Sequence, residues 1–278
     1  MTGTTAGAVV TGAGRGLGKQ IARLLADRGH QVLLTDLDAD AASAAAAEIG
    51  GTATAMPVDV RDVTQVEAAR DAIVRTAGRL DVWVNNAGVL LTGPAWEQSA
   101  EQRKLMLDVN ALGTINGTVA AIEGMRGRGG HIVNVVSLAG LTAVPGEAVY
   151  AASKHAAIGF SLSTLADLRL AGITGIAISC ICPDGIWTPM LHDKLDDPAS
   201  ALSFSGKLLT TDEVVAAVGS VLDKPRPVTT IPRWRGVVAR LADAVPRLGL
   251  RAAPLVVAQG RRAQRKLRRK AAARASAR

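Results

Sequence analysis

The chain has 278 residues, 48% of them apolar, and its 32 Lys and Arg against 24 Asp and Glu give a formal charge of +8. That content can bury a core, which excludes disorder over most of the length and suits one large domain. No uninterrupted apolar run approaches the roughly 20 residues of a membrane-spanning helix, and the first residues lack a secretion-signal pattern, so a cytoplasmic protein is expected.

In chain order, residues 8–11 read as a strand and 18–28 as an amphipathic helix, joined by the glycine-rich turn Thr11-Gly12-Ala13-Gly14-Arg15-Gly16-Leu17-Gly18. Glycines there let backbone approach a pyrophosphate, whose charge the free N–H groups of the following helix favour. The spacing is T-G-x-x-x-G-x-G, with Leu17 and Lys19 where G-x-G-x-x-G would need glycines. Next come a strand at 31–35 followed by Asp36, an Ala-rich helix at 39–49, a strand at 54–58 followed by Asp59 and Val60, and a helix at 63–76. A strand at 80–84 precedes Asn85-Asn86-Ala87-Gly88, and one long helix is predicted over 97–125. A strand at 131–136 leads to Ser137, and a helix at 148–170 carries Tyr150 and Lys154. Strands at 174–181 and 228–231 flank an apolar segment at 189–209.

Strict alternation of strand and helix predicts an α/β, Rossmann-type, doubly wound parallel sheet of about seven strands with helices on both faces and right-handed crossovers. Such sheets bind ligands beyond the carboxyl ends of their strands. Cys180 and Cys182 lie two apart in an apolar strand and read as small buried side chains. The scattered His30, His131, His155 and His192 lack ligand spacing, and no metal site is expected.

Taken singly, Ser137 fits a helix cap, Asn110 a satisfied helix polar residue and Tyr150 a half-buried aromatic. In order, with the glycine turn, they resemble the short-chain dehydrogenase/reductases, and the resemblance runs over about residues 6–234, with Y-x-x-x-K supplied by Tyr150 and Lys154. It implies an oxidoreductase that interconverts a secondary alcohol and a ketone, or an alcohol and an aldehyde, by hydride transfer. Tyr150 would exchange a proton with the substrate oxygen, which Ser137 would position. Lys154 would bind the nicotinamide ribose, and Asn110 would anchor a water in the proton relay. Tyr150 and Lys154 share a helix face, so an ammonium beside the phenol is expected to lower its pKa. Tyr150 is also the single tyrosine of the chain.

By the same resemblance, Gly12, Arg15, Gly16, Leu17, Gly18, Asp36, Asp59, Val60, Asn86, Ala87, Gly88, Tyr150, Lys154, Pro183, Ile186 and Thr188 line the cofactor site. Asp59 would meet the adenine amino group, Ile186 the nicotinamide carboxamide. A carboxylate at Asp36 accepts hydrogen bonds from ribose hydroxyls and repels a 2′-phosphate, so NAD is preferred; Arg15 is of the kind that favours NADP. Asp184 stands where the family has glycine, and Gly185 is read as supplying the freedom one residue later. Trp187, Met190, Leu191, Leu195, Leu202 and Phe204, with Leu138, Leu141 and Val144, point to an apolar substrate such as a steroid, retinoid or lipid-derived compound. A cofactor-binding scaffold or membrane-attached module with incidental catalysis is the alternative; a homodimer or homotetramer is expected of the family.

Charge divides the chain. From residue 225 onward there are 15 Lys and Arg and one acid, Asp243, so this end carries +14 and the remainder −6. We therefore divide it into a catalytic domain at 1–234 and a basic, amphipathic extension at 235–278 with a partly disordered tail. A solvated tail, an amphipathic segment on an anionic membrane and a subunit contact all fit; few aromatics make nucleic acid a poor partner.

Overall fold

The computed structural model describes residues 5–275, and side chains through Lys270. β1 (Gly7–Thr11) leads into α1 (Gly16–Asp27), β2 (Gln31–Asp36), α2 (Ala39–Ile49), β3 (Thr54–Pro57), α3 (Val63–Ala77) and β4 (Val82–Asn85). Then follow α4 (Ala100–Leu107), α5 (Gly113–Met125), β5 (Gly130–Val135), α6 (Ala148–Leu170) and β6 (Ile176–Pro183). The chain continues through α7 (Pro189–His192), α8 (Thr211–Asp223), β7 (Val228–Ile231), α9 (Arg233–Ala244) and α10 (Pro246–Ala275). The seven strands form one parallel sheet in the order β3-β2-β1-β4-β5-β6-β7, as the alternation predicted.

Both faces of the sheet are covered, because alternate strand residues point to opposite layers. Ala8 and Val10 pack with Ile21 and Leu25 of α1 and Val214 and Val218 of α8. Val9 packs on the other side with Ile73 of α3, Met125 of α5 and Leu165 of α6. Cys180 and Cys182 are buried free thiols on one face of β6, as their spacing suggested.

Three departures position the site. The predicted helix over 97–125 is interrupted by a π-helical turn, Asp108–Leu112, which carries Asn110. The stretch Ala100–Met125 is long and apolar enough to cross a membrane by composition, but half of it is buried within the fold. Second, α8 was not anticipated, although Thr210 and Glu213 form a capping box before Val214, Val218 and Val221.

Third, the described part of the extension packs on the domain, and the end of the tail expected to be partly disordered lies outside the described residues. The extension is helical over the described residues, and the boundary at 234/235 falls inside α9; residues 276–278 lie outside the described residues. Pro246 does break the run, as expected, by starting α10. Beyond it, α10 lies on the segment between β6 and α8. Gln264 is buried and donates to the Asp197 carbonyl at 2.9 Å and to Ser200 Oγ at 3.0 Å. Gly260 abuts the Ala201 carbonyl, where any Cβ would collide. These contacts repay the ordering of a helix whose charges alone would keep it solvated.

Candidate active site

The carboxyl ends of β1 and β4 meet where the strand order reverses, and the glycine turn sits there. Gly12 and Gly16 have φ of 61° and 58°, which bulkier residues resist. The turn is braced by Asn86, whose Nδ2 donates to the carbonyls of Thr11 at 3.0 Å and Gly12 at 2.9 Å. Thr11 Oγ1 accepts in return from the N–H groups of Asn86 and Ala87. Asn86 thus shapes the loop as well as lining the cavity, and Thr11 is a shaping residue that the motif contained without a stated role.

α1 follows Arg15, which makes no side-chain cap, and has no first-turn acid, whereas α2, α3 and α8 are capped by Asp38, Asp62 and Thr210. A Cβ on Gly16 would meet nothing within 4 Å. An uncapped N-terminus beside open space is suited to an anion. At the end of β2, Asp36 accepts from Gly14 N–H at 2.9 Å and Asp38 N–H at 3.1 Å, holding its carboxylate beside the turn. Leu37 beside it is exposed and carries no charge to receive a phosphate. Asp59 is engaged by Arg61, with Nε at 2.8 and 2.9 Å, and that guanidinium pulls the carboxyl below its usual range. These groups, with Arg15 in the same lining, fit a dinucleotide.

The four residues expected to do chemistry converge behind the turn. Asn110 is fully buried; its Oδ1 accepts from Val89 N–H at 2.8 Å while Nδ2 donates to Val89 O at 2.9 Å and Ser153 Oγ at 3.0 Å. It therefore clamps the loop after β4 to α6, one residue from Lys154. A Cβ on Gly88 would lie 3.2 Å from Asn110 Oδ1 and 3.6 Å from Lys154 Nζ, so glycine keeps the space between them open. Ser137 accepts from Ala139 N–H at 3.1 Å and thereby caps a short 3-10 turn, Leu138–Gly140.

Lys154 Nζ donates to Val135 O at 3.3 Å and lies 5.6 Å from the centre of the Tyr150 ring. Burial lowers its pKa to about 8, opposed by the Cys182 thiol. The lowered phenol pKa expected from the ammonium is not found. Burial pushes Tyr150 up, the nearby Glu147 carboxyl adds to the rise, and a hydrogen bond with the Ser137 hydroxyl works against both. Desolvation is the largest cause, and the Lys154 ammonium, 5.6 Å from the ring centre, does not offset it.

These groups line a continuous cavity of about 1050 Å³ running from Gly12 and Asp36 past Tyr150 to an apolar end. Pro183, Ile186 and Thr188 border it after β6, with Leu17, Val60, Ala87 and Gly88 on the cofactor side. Gly185 has no positive φ; it is needed for room, since a Cβ would strike the Ser203 carbonyl. Leu138, Val144, Met190, Leu191 and Leu202 line the apolar end as expected, while Leu141, Trp187, Leu195 and Phe204 do not border it.

Two groups of lining residues went unrecognised in the sequence. One is Glu147, buried at the start of α6, where Ser203 Oγ donates to it at 2.6 Å. Burial raises it to about 7, Ser203 opposing and Asp197 reinforcing the rise. The other is the wall built by the extension, including Ala239, Ala242, Pro246, Gly249, Ala253 and Val256. Their alternating spacing of three and four was the available signal.

Comparison with known proteins agrees with this geometry. The chain is 37% identical over 219 residues to the oxidoreductase UcpA of Salmonella typhimurium, covering 75% of this chain and 81% of that one. It is 37% identical over 205 residues to a cyclopentanol dehydrogenase of Comamonas testosteroni, covering 72% and 81%. A crystal structure of a short chain dehydrogenase/reductase from Burkholderia phymatum in complex with NAD superposes with a TM-score of 0.77 at 28% identity, covering 85% of this chain and 92% of that one. The short chain dehydrogenase family profile matches residues 6–199. That stretch is more than half of the chain and holds the glycine turn and all four converging polar residues, so the chain belongs to the short-chain dehydrogenase/reductase family of oxidoreductases.

Proposed function

We propose that the protein is an NAD-dependent dehydrogenase that interconverts an apolar secondary alcohol and its ketone. The observation that carries this reading is the single cavity that joins Asp36 and the glycine turn to Tyr150 and an apolar end. Gly12, Gly16, Gly18 and the uncapped start of α1 would hold the cofactor pyrophosphate, and Asp36 its adenosine ribose. Asp59 and Val60 would border the adenine, and Ile186 and Thr188 the nicotinamide. Bound NAD supplies a carbon that accepts or returns hydride at the substrate carbon.

The protein's own groups handle the proton. Tyr150, held neutral by burial, is set to give its phenolic proton to a ketone oxygen and to recover it from the alcohol in the reverse direction. Ser137 would hold that oxygen beside the phenol. Lys154, poised near neutrality, would return the proton toward solvent through the space that Gly88 leaves beside Asn110. A homodimer or homotetramer is supported by the exposed Leu107, Leu112, Val119 and Leu162 on α4, α5 and α6 and the turn between them. Steroid, retinoid or other lipid-derived alcohols are the substrate class, because Leu138, Val144, Leu202, Val238 and Leu250 surround the far end of the cavity.

The test is the initial rate of cyclopentanol oxidation with NAD and NADP in parallel, for the wild type and Tyr150→Phe. Turnover is expected with NAD, and the variant should lose roughly 10²–10⁴-fold in kcat while binding NADH unchanged. Retained turnover in Tyr150→Phe would overturn the assignment.

A further inference from the structure

The helices α9 and α10 are apolar on two faces. The face toward the cavity is built largely of small residues, Ala239, Ala242, Gly249, Ala252 and Ala253, with Val238, Leu250 and Val256 among them. The opposite face carries the bulk: Trp234, Val237, Leu241, Val245, Leu248 and Leu255 all stand in solvent, Leu241 at 63% and Leu255 at 75% exposure. A helix pair folded for water alone would turn the large side chains inward and the small or polar ones out. Along α10 the outward stripe of Leu248 and Leu255 continues at helical spacing into Arg262, Lys266 and Arg269.

Charge selects the occupant of this surface. Arg262, Arg265, Lys266, Arg269 and Lys270 gather on one exposed patch. Asp243 is the single acid from residue 225 onward, and among the described residues the one ion pair of α10 joins Arg268 to Asp196. A second copy of the same face would set cation against cation. A nucleic acid would leave the leucines in water. A bilayer carrying anionic lipid satisfies both halves, acyl chains for the apolar stripe and headgroup phosphates for the basic one.

We propose that the outer face of α9 and α10 docks on an anionic lipid bilayer, and that the substrate enters the cavity from that bilayer past the small-residue face of the same helices. The second clause rests on the apolar-substrate reading given above; the first does not. Trp234, at the start of α9, would sit at the interface, where an indole with one polar edge is favoured.

The experiment uses the full-length protein with phosphatidylcholine vesicles, with and without phosphatidylglycerol. The comparison variant is Leu241→Asp with Leu248→Asp, two exposed positions outside the cavity. The wild type is expected to sediment with the anionic vesicles and to show a blue shift in tryptophan emission that Trp234→Phe removes. The double variant should bind more weakly, on the order of tenfold or beyond, while oxidising cyclopentanol in vesicle-free buffer at the wild-type rate. Equal sedimentation of the two forms would overturn the proposal, as would a wild type that ignores anionic vesicles. So would a wild-type dimer that the double variant dissociates, because that face would then be a subunit contact. Vesicle binding needs no substrate, so a failed alcohol assay bears on the proposed function alone.

Discussion

Arg235 Nε donates to Asp184 Oδ2 at 2.8 Å, joining α9 to the loop that follows β6. The same guanidinium reaches Ser205 Oγ at 3.0 Å, so three segments around the apolar end of the cavity share one partly buried charge pair. Side-chain exposure is 18% for Arg235 and 9% for Asp184. This pairing explains why an acid can stand where the family has glycine: Asp184 anchors the extension. Arg235→Met strands the carboxylate and should cost about 2 kcal/mol, below the roughly 3–5 kcal/mol of a fully buried pair because water reaches part of the guanidinium. Combining it with Asp184→Gly should recover most of that loss. Urea unfolding of the single and double variants checks it, and additive losses would mean that the pair is not coupled.

Asp36 is expected to set cofactor choice through its carboxylate alone. Its oxygens are already oriented by the N–H groups of Gly14 and Asp38, so little reorganisation is needed to accept from a ribose. Asp36→Ala removes those acceptors and the repulsion toward a 2′-phosphate together. The loss of about 2 kcal/mol of charge-assisted bonding corresponds to roughly a 30-fold fall in kcat/KM for NAD, with NADP use rising. Parallel initial rates measure both, and a wild type that already prefers NADP would assign the decisive role to Arg15.

The sheet was legible from strand and helix periodicity because a parallel sheet buried on both faces needs continuous apolar runs separated by amphipathic helices. The site was legible where one short motif fixes backbone and chemistry together, as in the glycine turn and in Tyr150 with Lys154. The π-helical turn at Asn110 was not, since its residues, Asp-Val-Asn-Ala-Leu, have ordinary helical propensities and the distortion comes from the clamp to Val89 and Ser153. Nor was the cavity wall. Arg261 to Lys270 dominates the composition of the extension and draws attention to solvent, while much of the docking is done by Gly260 and Gln264, which composition does not mark, with Arg268 beside them on Asp196.

Gly260 offers a direct check of that docking. A side chain there meets the Ala201 carbonyl, a backbone atom that cannot swing aside. Gly260→Val should lift α10 from the segment after β6 and break the Gln264 bonds to Asp197 and Ser200. Trypsin should then cut the Arg-rich helix faster at low ratios of protease, and KM for an apolar alcohol should rise severalfold with NADH affinity unchanged. An unaltered digestion pattern would show that the helix was not held there.

Glu147 gives a prediction whose sign can be worked out. Its carboxyl is raised from 4.5 to about 7 in the fold, so between those values the native state keeps a proton that the unfolded chain has lost. The stability it contributes is full below pH 4.5 and disappears as pH rises through 7. His131 runs the other way: lowered by burial to about 4, it is neutral in the fold where the unfolded chain is charged, so its effect is a gain in stability as pH rises toward 6.5. In the wild type the two slopes oppose each other. Glu147→Gln keeps an acceptor for Ser203 Oγ and removes one of them, so its stability should climb with pH across this window. The variant should match the wild type near pH 4 and exceed it at pH 8 by up to roughly 3 kcal/mol, the free energy of a shift of this size. Urea unfolding followed by tryptophan emission across that range measures the difference, and parallel profiles for the two proteins would mean that Glu147 ionises freely in the folded state.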